Sequence, residues 1–209
     1  MIICYENVLL TAHRTDRFEG FVDDCVNSVG IGIGGCWNAL KARLKPSMGG
    51  PFGGTIKWGV SNYDQYNPME SFSGYSHALN NLPWDTLIRQ DPDGQDVPWL
   101  AESYVIETHE DNESVLAGRT RFTFSLVRNA SWSNGLPLTA EDVAATFNYY
   151  RDAAGNCFES WFHDMTAAYA QGYYKGVVEY LSESYWHLHK VGYKPILPKQ
   201  LLAELGSDG

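Results

Sequence analysis

The sequence predicts a mixed α/β fold, and the clearest evidence lies in residues 121–151. This stretch begins with apolar residues that alternate with polar ones, as in a strand that buries one face. After a Ser-Asn-Gly turn, Thr139 is placed to cap a helix, with Asp142 three residues on in a near match to the capping box. The alternating apolar positions are Phe122, Phe124 and Leu126, and those at helical spacing are Val143, Phe147 and Tyr150.

The remaining elements follow from the same patterns. A Gly/Pro-rich segment at 45–54 has two prolines and four glycines, which predicts a linker and a boundary between units. Residues 99–106 are expected to pair with the 121–126 strand as a long-looped hairpin. Further strands are predicted at 2–10, 54–60 and 177–181, a turn at 91–94, and helices at 36–44, 75–88 with a break at Pro83, 185–191 and 200–205.

Charge and hydropathy exclude several classes of partner. The formal net charge is -10, and the 15 Lys and Arg residues form no cluster, so nucleic acid is not an expected partner. No run approaches the roughly twenty apolar residues that span a bilayer. The N-terminus lacks a basic region and carries Glu6 and Asn7 within its apolar stretch, so no signal peptide is visible.

Catalytic and metal-binding patterns are absent from the sequence. The four cysteines form no CxxC pair, and four unpaired buried thiols are preferred over two disulfides. His187 and His189 complete no zinc motif and are expected to be solvated or packing residues, while GIGIGG lacks the spacing of a dinucleotide loop. Glu141 and Asp142 lie where a helix N-terminus favours carboxylates. We therefore expect no enzyme activity, no metal site and no cofactor.

Four ordered stretches resemble the N-terminal part of the extracellular solute-binding proteins of ABC transporters, in the oligopeptide and dipeptide family. These stretches are GGTIKWGVSNYDQYNP, WDTLIRQDPDGQDVPWLAESY, RFTFSLVRNASWSNGLPLTAEDVAATFNYYR and KPILPKQLL. The third carries the family signature, a W-x-[DN]-G-x-P-L-T-A-x-D-V turn between strand and helix. Its matching residues are Trp132, Asn134, Gly135, Pro137, Leu138, Thr139, Ala140, Glu141, Asp142 and Val143. Trp132 is expected to pack strand against helix.

The resemblance implies a partial lobe of the type II periplasmic-binding-protein fold with a mixed sheet, spanning residues 55–209. It implies non-catalytic recognition of a solute, foremost an oligopeptide, for an ABC importer whose permease subunits are partners. An oligosaccharide receptor is the alternative within the family, and a fragment that binds no solute and needs a complementary chain or self-association is another. The implied location is periplasmic or extracellular. The implied ligand-binding residues are Tyr66, Asn67, Phe158 and Trp161.

Residues 1–44 resemble a different part of the same family. The run YENVLLTAHRTDRFEGFV is similar to a segment near the C-terminal end of these receptors, yet here it precedes the N-terminal portion. A tandem protein whose first copy ends near Lys45 would explain this order, and so would a permutation. The linker at 45–54 favours the tandem origin, because two copies would join at such a segment.

Overall fold

The computed structural model describes residues 14–22, 36–57, 59, 64, 67–71 and 73–205. The described strands are β1 Phe18–Glu19, β2 Arg43–Leu44, β3 Ile88–Gln90, β4 Asp96–Pro98, β5 Ala101–Glu107, β6 Thr120–Leu126, β7 Met165–Ala170 and β8 Lys175–Tyr180. The described helices are α1 Cys36–Lys41, α2 Gly74–Asn80, α3 Ala140–Asp152, α4 Glu159–Phe162, α5 Trp186–Gly192 and α6 Lys199–Leu205, with a 3-10 turn at Pro46–Met48.

A four-stranded antiparallel sheet in the order β5-β6-β8-β7 forms the centre of the fold. Along β6 the side chains alternate between buried and half-buried, with Phe122, Phe124 and Leu126 at most 1% exposed. The predicted hairpin forms between β5 and β6, pairing Tyr104 with Phe124. Because residues opposite each other share a face, this register places one apolar side of the sheet against the helices.

Helix α3 covers that apolar side by crossing β7 and β8. Its buried residues Val143, Phe147 and Tyr150 lie at the predicted helical spacing. The backbone of β8 approaches closely at Gly176, where an added Cβ would lie 3.2 Å from Val143 Cγ1. A larger residue at Gly176 would therefore push α3 away from the sheet.

Side chains of α3 also satisfy the outer edge of β7. Asn148 Nδ2 donates to the Ala168 carbonyl at 2.8 Å, and Arg151 Nη1 donates to the Thr166 carbonyl at 2.9 Å. These carbonyls alternate along an edge strand and would otherwise face solvent unpaired. Helix α3 thus holds the sheet by its face and by one edge.

The described N-terminal residues form a smaller unit against this body. Strands β1 and β2 pair antiparallel, and β3 and β4 form a second two-stranded sheet. The indole Nε1 of Trp37 in α1 donates to the Gln90 carbonyl at 2.8 Å. Residues 45–54 turn back on β2, where Leu44 N donates to the Pro51 carbonyl at 3.2 Å.

Most predicted elements are present within two or three residues of their expected bounds, and four expectations need correction. The predicted helix at 75–88 ends at Asn80, and beyond Pro83 the chain enters β3 rather than a second helical segment, because its backbone pairs with β4. The described part of the predicted 54–60 strand has no regular structure, because no described neighbouring strand accepts its backbone hydrogen bonds. Strand β7 was not predicted, since its sequence MTAAYA lacks alternation. All described strand pairs are antiparallel rather than mixed. Hairpins join β5 to β6 and β7 to β8, and the chain returns through α3 and α4 so that β8 lies antiparallel beside β6. The predicted strand at 2–10 lies outside the described residues.

Candidate functional site

A lysine packed against two aromatic rings marks the candidate site. The Nζ atom of Lys194 lies 3.8 Å from the ring centroid of Trp161 and 4.6 Å from that of Phe158. Phe158 is 4% exposed, whereas Trp161 is 46% exposed. Lys194 therefore contacts one buried ring, that of Phe158, and one exposed ring, that of Trp161.

The loop between α3 and α4 positions the two rings. Asn156 Nδ2 donates to the carbonyls of Tyr150 and Ala153, at 3.1 and 2.6 Å, and its Oδ1 accepts from Phe158 N at 2.9 Å. This places Phe158 just before α4, where its ring packs edge-on against Tyr150 at 4.9 Å. Trp161, three residues on, lies on the same side of the short helix.

A polar stripe on α3, made of Asp142, Thr146 and Tyr150, positions the segment that carries Lys194. Asp142 Oδ1 accepts from Lys199 N at 2.9 Å. Thr146 Oγ1 accepts from Leu197 N at 3.0 Å. The Tyr150 hydroxyl donates to the Pro195 carbonyl at 2.8 Å.

The spacing of these contacts has a simple geometric cause. Four residues of α-helix rise about 6 Å, and two residues of extended chain span about 6.6 Å. Helix positions four apart therefore match chain positions two apart, from 199 through 197 to 195. Lys194 directly precedes Pro195, the residue that Tyr150 contacts.

The ammonium of Lys194 lacks an acidic partner. No carboxylate in the described part of the chain forms an ion pair with it. Burial against the aromatic rings lowers its pKa to about 8. A half-buried cation with no counter-charge is costly, and an anionic ligand would offset that cost.

The two other titratable groups at the site carry little charge at neutral pH. Burial raises the pKa of the Cys157 thiol to about 11, which keeps it protonated. The ring of His77 packs 5.7 Å from that of Phe158, and burial followed by the charge of Lys194 lowers its pKa. Lys194 is thus the dominant charge between the two rings.

The predicted ligand-binding residues are only partly brought together. Phe158 and Trp161 both contact Lys194, although Phe158 is also part of the core. Asn67 lies in the adjoining turn, where its Oδ1 accepts from Met69 N at 3.0 Å and Met69 O accepts from Cys157 N at 2.7 Å. Tyr66 lies outside the described residues.

Sequence reasoning missed Lys194 and His77. Neither belongs to a motif, and an isolated lysine or histidine is usually solvated or structural. The one available signal for Lys194 was its position between Tyr193 and Pro195 in an apolar stretch, GYKPILP. That pattern alone does not separate a ligand-binding lysine from a surface one.

The two histidines of α5 each contact a carboxylate. His187 is 1% exposed, stacks on Tyr180 at 4.1 Å, and places Nε2 3.0 Å from an Asp164 oxygen. His189 Nε2 lies 2.9 Å from Asp96 Oδ2. Nowhere in the described ranges do three or more His, Cys, Asp or Glu residues converge as metal ligands do. Cys36 and Cys157 are both free thiols.

The predicted scaffold residues of the signature take the expected positions. Gly135 has a φ of 83°, which glycine adopts without strain. Trp132 packs against the core. Asp142 Oδ2 accepts from both the backbone N and the hydroxyl of Thr139, at 2.8 and 3.1 Å, within a capping box. None of the described helices is long and apolar enough to cross a membrane.

Solved structures with the type II periplasmic-binding-protein fold match this architecture, and the chain has that fold. The NikZ protein from Campylobacter jejuni, solved in complex with Ni(L-His), has a TM-score of 0.58 at 20% identity, covering 68% of this chain and 27% of its own. The oligopeptide-binding protein AppA from Bacillus subtilis, solved with a nonapeptide, has a TM-score of 0.55 at 18% identity, covering 68% and 28%.

Residues 96–206 match the family model for bacterial extracellular solute-binding proteins, family 5 Middle, and the chain belongs to this family. The nickel-binding periplasmic protein of Escherichia coli strain K12 is 30% identical over 102 residues, which are 47% of this chain and 17% of that protein. The chain thus spans less than a third of the length of these relatives. The family binds solutes for ABC importers and is non-catalytic, and its members are periplasmic or extracellular.

Proposed function

We propose that this chain contributes to the recognition of a carboxylate-bearing solute, foremost an oligopeptide, for an ABC importer. The observation that carries the proposal is the ammonium of Lys194, which is half-buried between Phe158 and Trp161 without an acidic partner. A ligand carboxylate at this ammonium would form a charge-assisted hydrogen bond in a partly desolvated site. The exposed ring of Trp161 would contact the adjoining apolar part of the solute.

The solutes of the two solved relatives have the required chemistry. The L-histidine of the Ni(L-His) complex bound by NikZ and the nonapeptide bound by AppA each carry a carboxylate. Asn67, in the turn beside Cys157, and Tyr66 remain proposed contacts for the rest of an extended ligand. An oligosaccharide would use Trp161 for stacking, but a neutral sugar would leave the Lys194 charge uncompensated.

The remainder of the binding cleft and the transporter are further parts of the proposal. A cleft binds tightly when it surrounds its ligand, and the chain spans only a minority of its relatives' length. We therefore expect weak binding by this chain alone and stronger binding with a complementary lobe. Delivery to permease subunits belongs to the whole receptor.

A comparison of paired ligands tests the proposal. Thermal unfolding of the full chain is followed with acetyl-trialanine, with acetyl-trialanine amide and with maltotriose, each at millimolar concentration. A ligand at ten times its Kd adds about 1.4 kcal/mol to the free energy of unfolding. We expect the acid to raise the Tm and the amide to do so less, because only the acid pairs with Lys194.

Two variants identify the residue responsible. Lys194→Met keeps the packing of the side chain, and its affinity for the acid should fall about 10- to 100-fold, the worth of one charged hydrogen bond. Lys175→Met removes an exposed lysine from β8 and should bind as the unaltered chain does. Equal Tm shifts for acid and amide would contradict the carboxylate proposal. A response to maltotriose alone would favour the oligosaccharide alternative, and no response to any ligand would favour the non-binding fragment.

A further inference from the structure

His77 packs against the same aromatic ring as Lys194 and is a second titratable group near that lysine. Its imidazole is 5.7 Å from the Phe158 ring centroid, and Lys194 Nζ is 4.6 Å from that centroid. We propose that His77 is a second recognition group for the solute carboxylate and that it links solute binding to proton uptake. This inference rests on the proposed role of Lys194.

The charges that face His77 come from two other segments. Burial lowers its pKa most, and the Lys194 ammonium lowers it further, while the carboxylate of Asp64 and a hydrogen bond to the Ser71 backbone act in the opposite direction. The Cys157 thiol beside Lys194 is protonated, because burial raises its pKa to about 11. The imidazole is therefore neutral at neutral pH in the unliganded chain.

A bound carboxylate changes this balance. Its negative charge at Lys194 would cancel the repulsion between the ammonium and an imidazolium at His77. The liganded protein would then hold a proton on His77 at a pH where the unliganded protein does not. By linkage, the same coupling makes the carboxylate bind more tightly when His77 is protonated.

The sign of the pH dependence follows directly. Affinity for a carboxylate should rise about three- to tenfold as the pH falls from 7.5 to 5, where the solute carboxylate is still ionised. At higher pH, affinity should fall as Lys194 loses its proton near pH 8. Two separate steps are expected, and only the acidic one belongs to His77.

Titration calorimetry measures both steps. The full chain is titrated with acetyl-trialanine and with its amide at pH 5, 7.5 and 9, in two buffers of different protonation enthalpy, so that proton uptake is counted. We expect the acid to show uptake and the amide to show none. His77→Phe keeps an aromatic ring against Phe158 and should remove the acidic step, whereas His163→Phe, at an exposed histidine, should retain it.

The possible results distinguish a failure of the His77 proton linkage from a failure of the proposed role of Lys194. Equal affinity for acid and amide at every pH would overturn the role of Lys194 and with it the proton linkage. Preference for the acid with the same acidic step in His77→Phe would overturn the proton linkage alone. NMR titration of His77 in the unaltered chain gives an independent check, since its pKa should rise when acetyl-trialanine saturates the site. An unchanged pKa would also overturn the linkage.

Discussion

Replacement of Asp142 by alanine should destabilise the chain, because this one side chain caps two helices. The carboxylate is 4% exposed, and its Oδ2 accepts from the backbone N and the hydroxyl of Thr139. Its Oδ1 accepts from Lys199 N at 2.9 Å, which joins the start of α6 to the start of α3. One side chain thus satisfies the N-termini of two helices.

The expected magnitude follows from these contacts. Loss of the cap on α3 costs about 1 kcal/mol, and the stranded N–H of Lys199 adds about 1–3 kcal/mol. The total of about 2–4 kcal/mol is a large part of the 5–15 kcal/mol that stabilises a typical domain, and it corresponds to a fall in Tm of about 5–15 °C. Asp142→Asn keeps one acceptor oxygen and should fall between alanine and the unaltered chain.

Urea unfolding followed by far-UV circular dichroism measures the effect, and the adjacent residue provides the control. Glu141 lies in the same first turn, but its side chain is 63% exposed and its ion pair is with the exposed Lys199 ammonium. Because an exposed pair is screened by solvent, Glu141→Ala should be indistinguishable from the unaltered chain. If the two alanine variants unfold at the same urea concentration, Asp142 does not hold the two helices together.

Three other changes test the scaffold and the site. Gly135→Val should lower the free energy of unfolding by about 1–2 kcal/mol, because φ at this residue is 83°. Gly59→Val, at an exposed glycine without positive φ, should have little effect in the same urea measurement. Tyr150→Phe should cost about 1–2 kcal/mol, because it strands the buried Pro195 carbonyl. Tyr180→Phe removes a buried hydroxyl that has no hydrogen-bond partner among the described residues, so it should be neutral or stabilising. Equal losses of stability in thermal melts would contradict this difference. Lys194 has a folded-state pKa of about 8, below its ordinary value, so above that pH the unfolded chain binds more protons than the folded chain. The free energy of unfolding of the unaltered chain should therefore rise from pH 8 to 9 relative to that of Lys194→Met. Parallel pH profiles for the two proteins would refute the shifted pKa.

The strand-turn-helix unit was predictable because local chemistry determines it. Phe122, Phe124 and Leu126 alternate because only one face of β6 is buried, and a cap at Thr139 marks where α3 begins. Strand β7 was not predictable, since its sheet position depends on β8 and on α3 side chains that satisfy its edge. Tertiary partners, absent from any local pattern, determine that element.

The candidate site was only half predictable for a related reason. The family resemblance implied Phe158 and Trp161 as ligand-binding residues, but nothing in the sequence pointed to the lysine that contacts both rings. Its placement depends on contacts 45 to 57 residues apart along the chain, from α3 to the segment after α5. No window of local sequence contains both sides of such contacts.

The polar stripe of α3 gives the signature helix a role in the site that its residues did not indicate. Asp142, Thr146 and Tyr150 recur every four residues, a spacing that on an exposed helix would mark a solvated face. Here all three are buried and hydrogen-bonded to the segment before and within α6, so the stripe fixes how far along α3 that segment lies. A shift of that segment by one residue would break all three contacts and move Lys194 by about 3.3 Å. This displacement is nearly as large as the 3.8 Å between Lys194 Nζ and the Trp161 ring centroid. The signature helix therefore holds Lys194 within reach of the two rings, and in this way it would aid the proposed solute recognition.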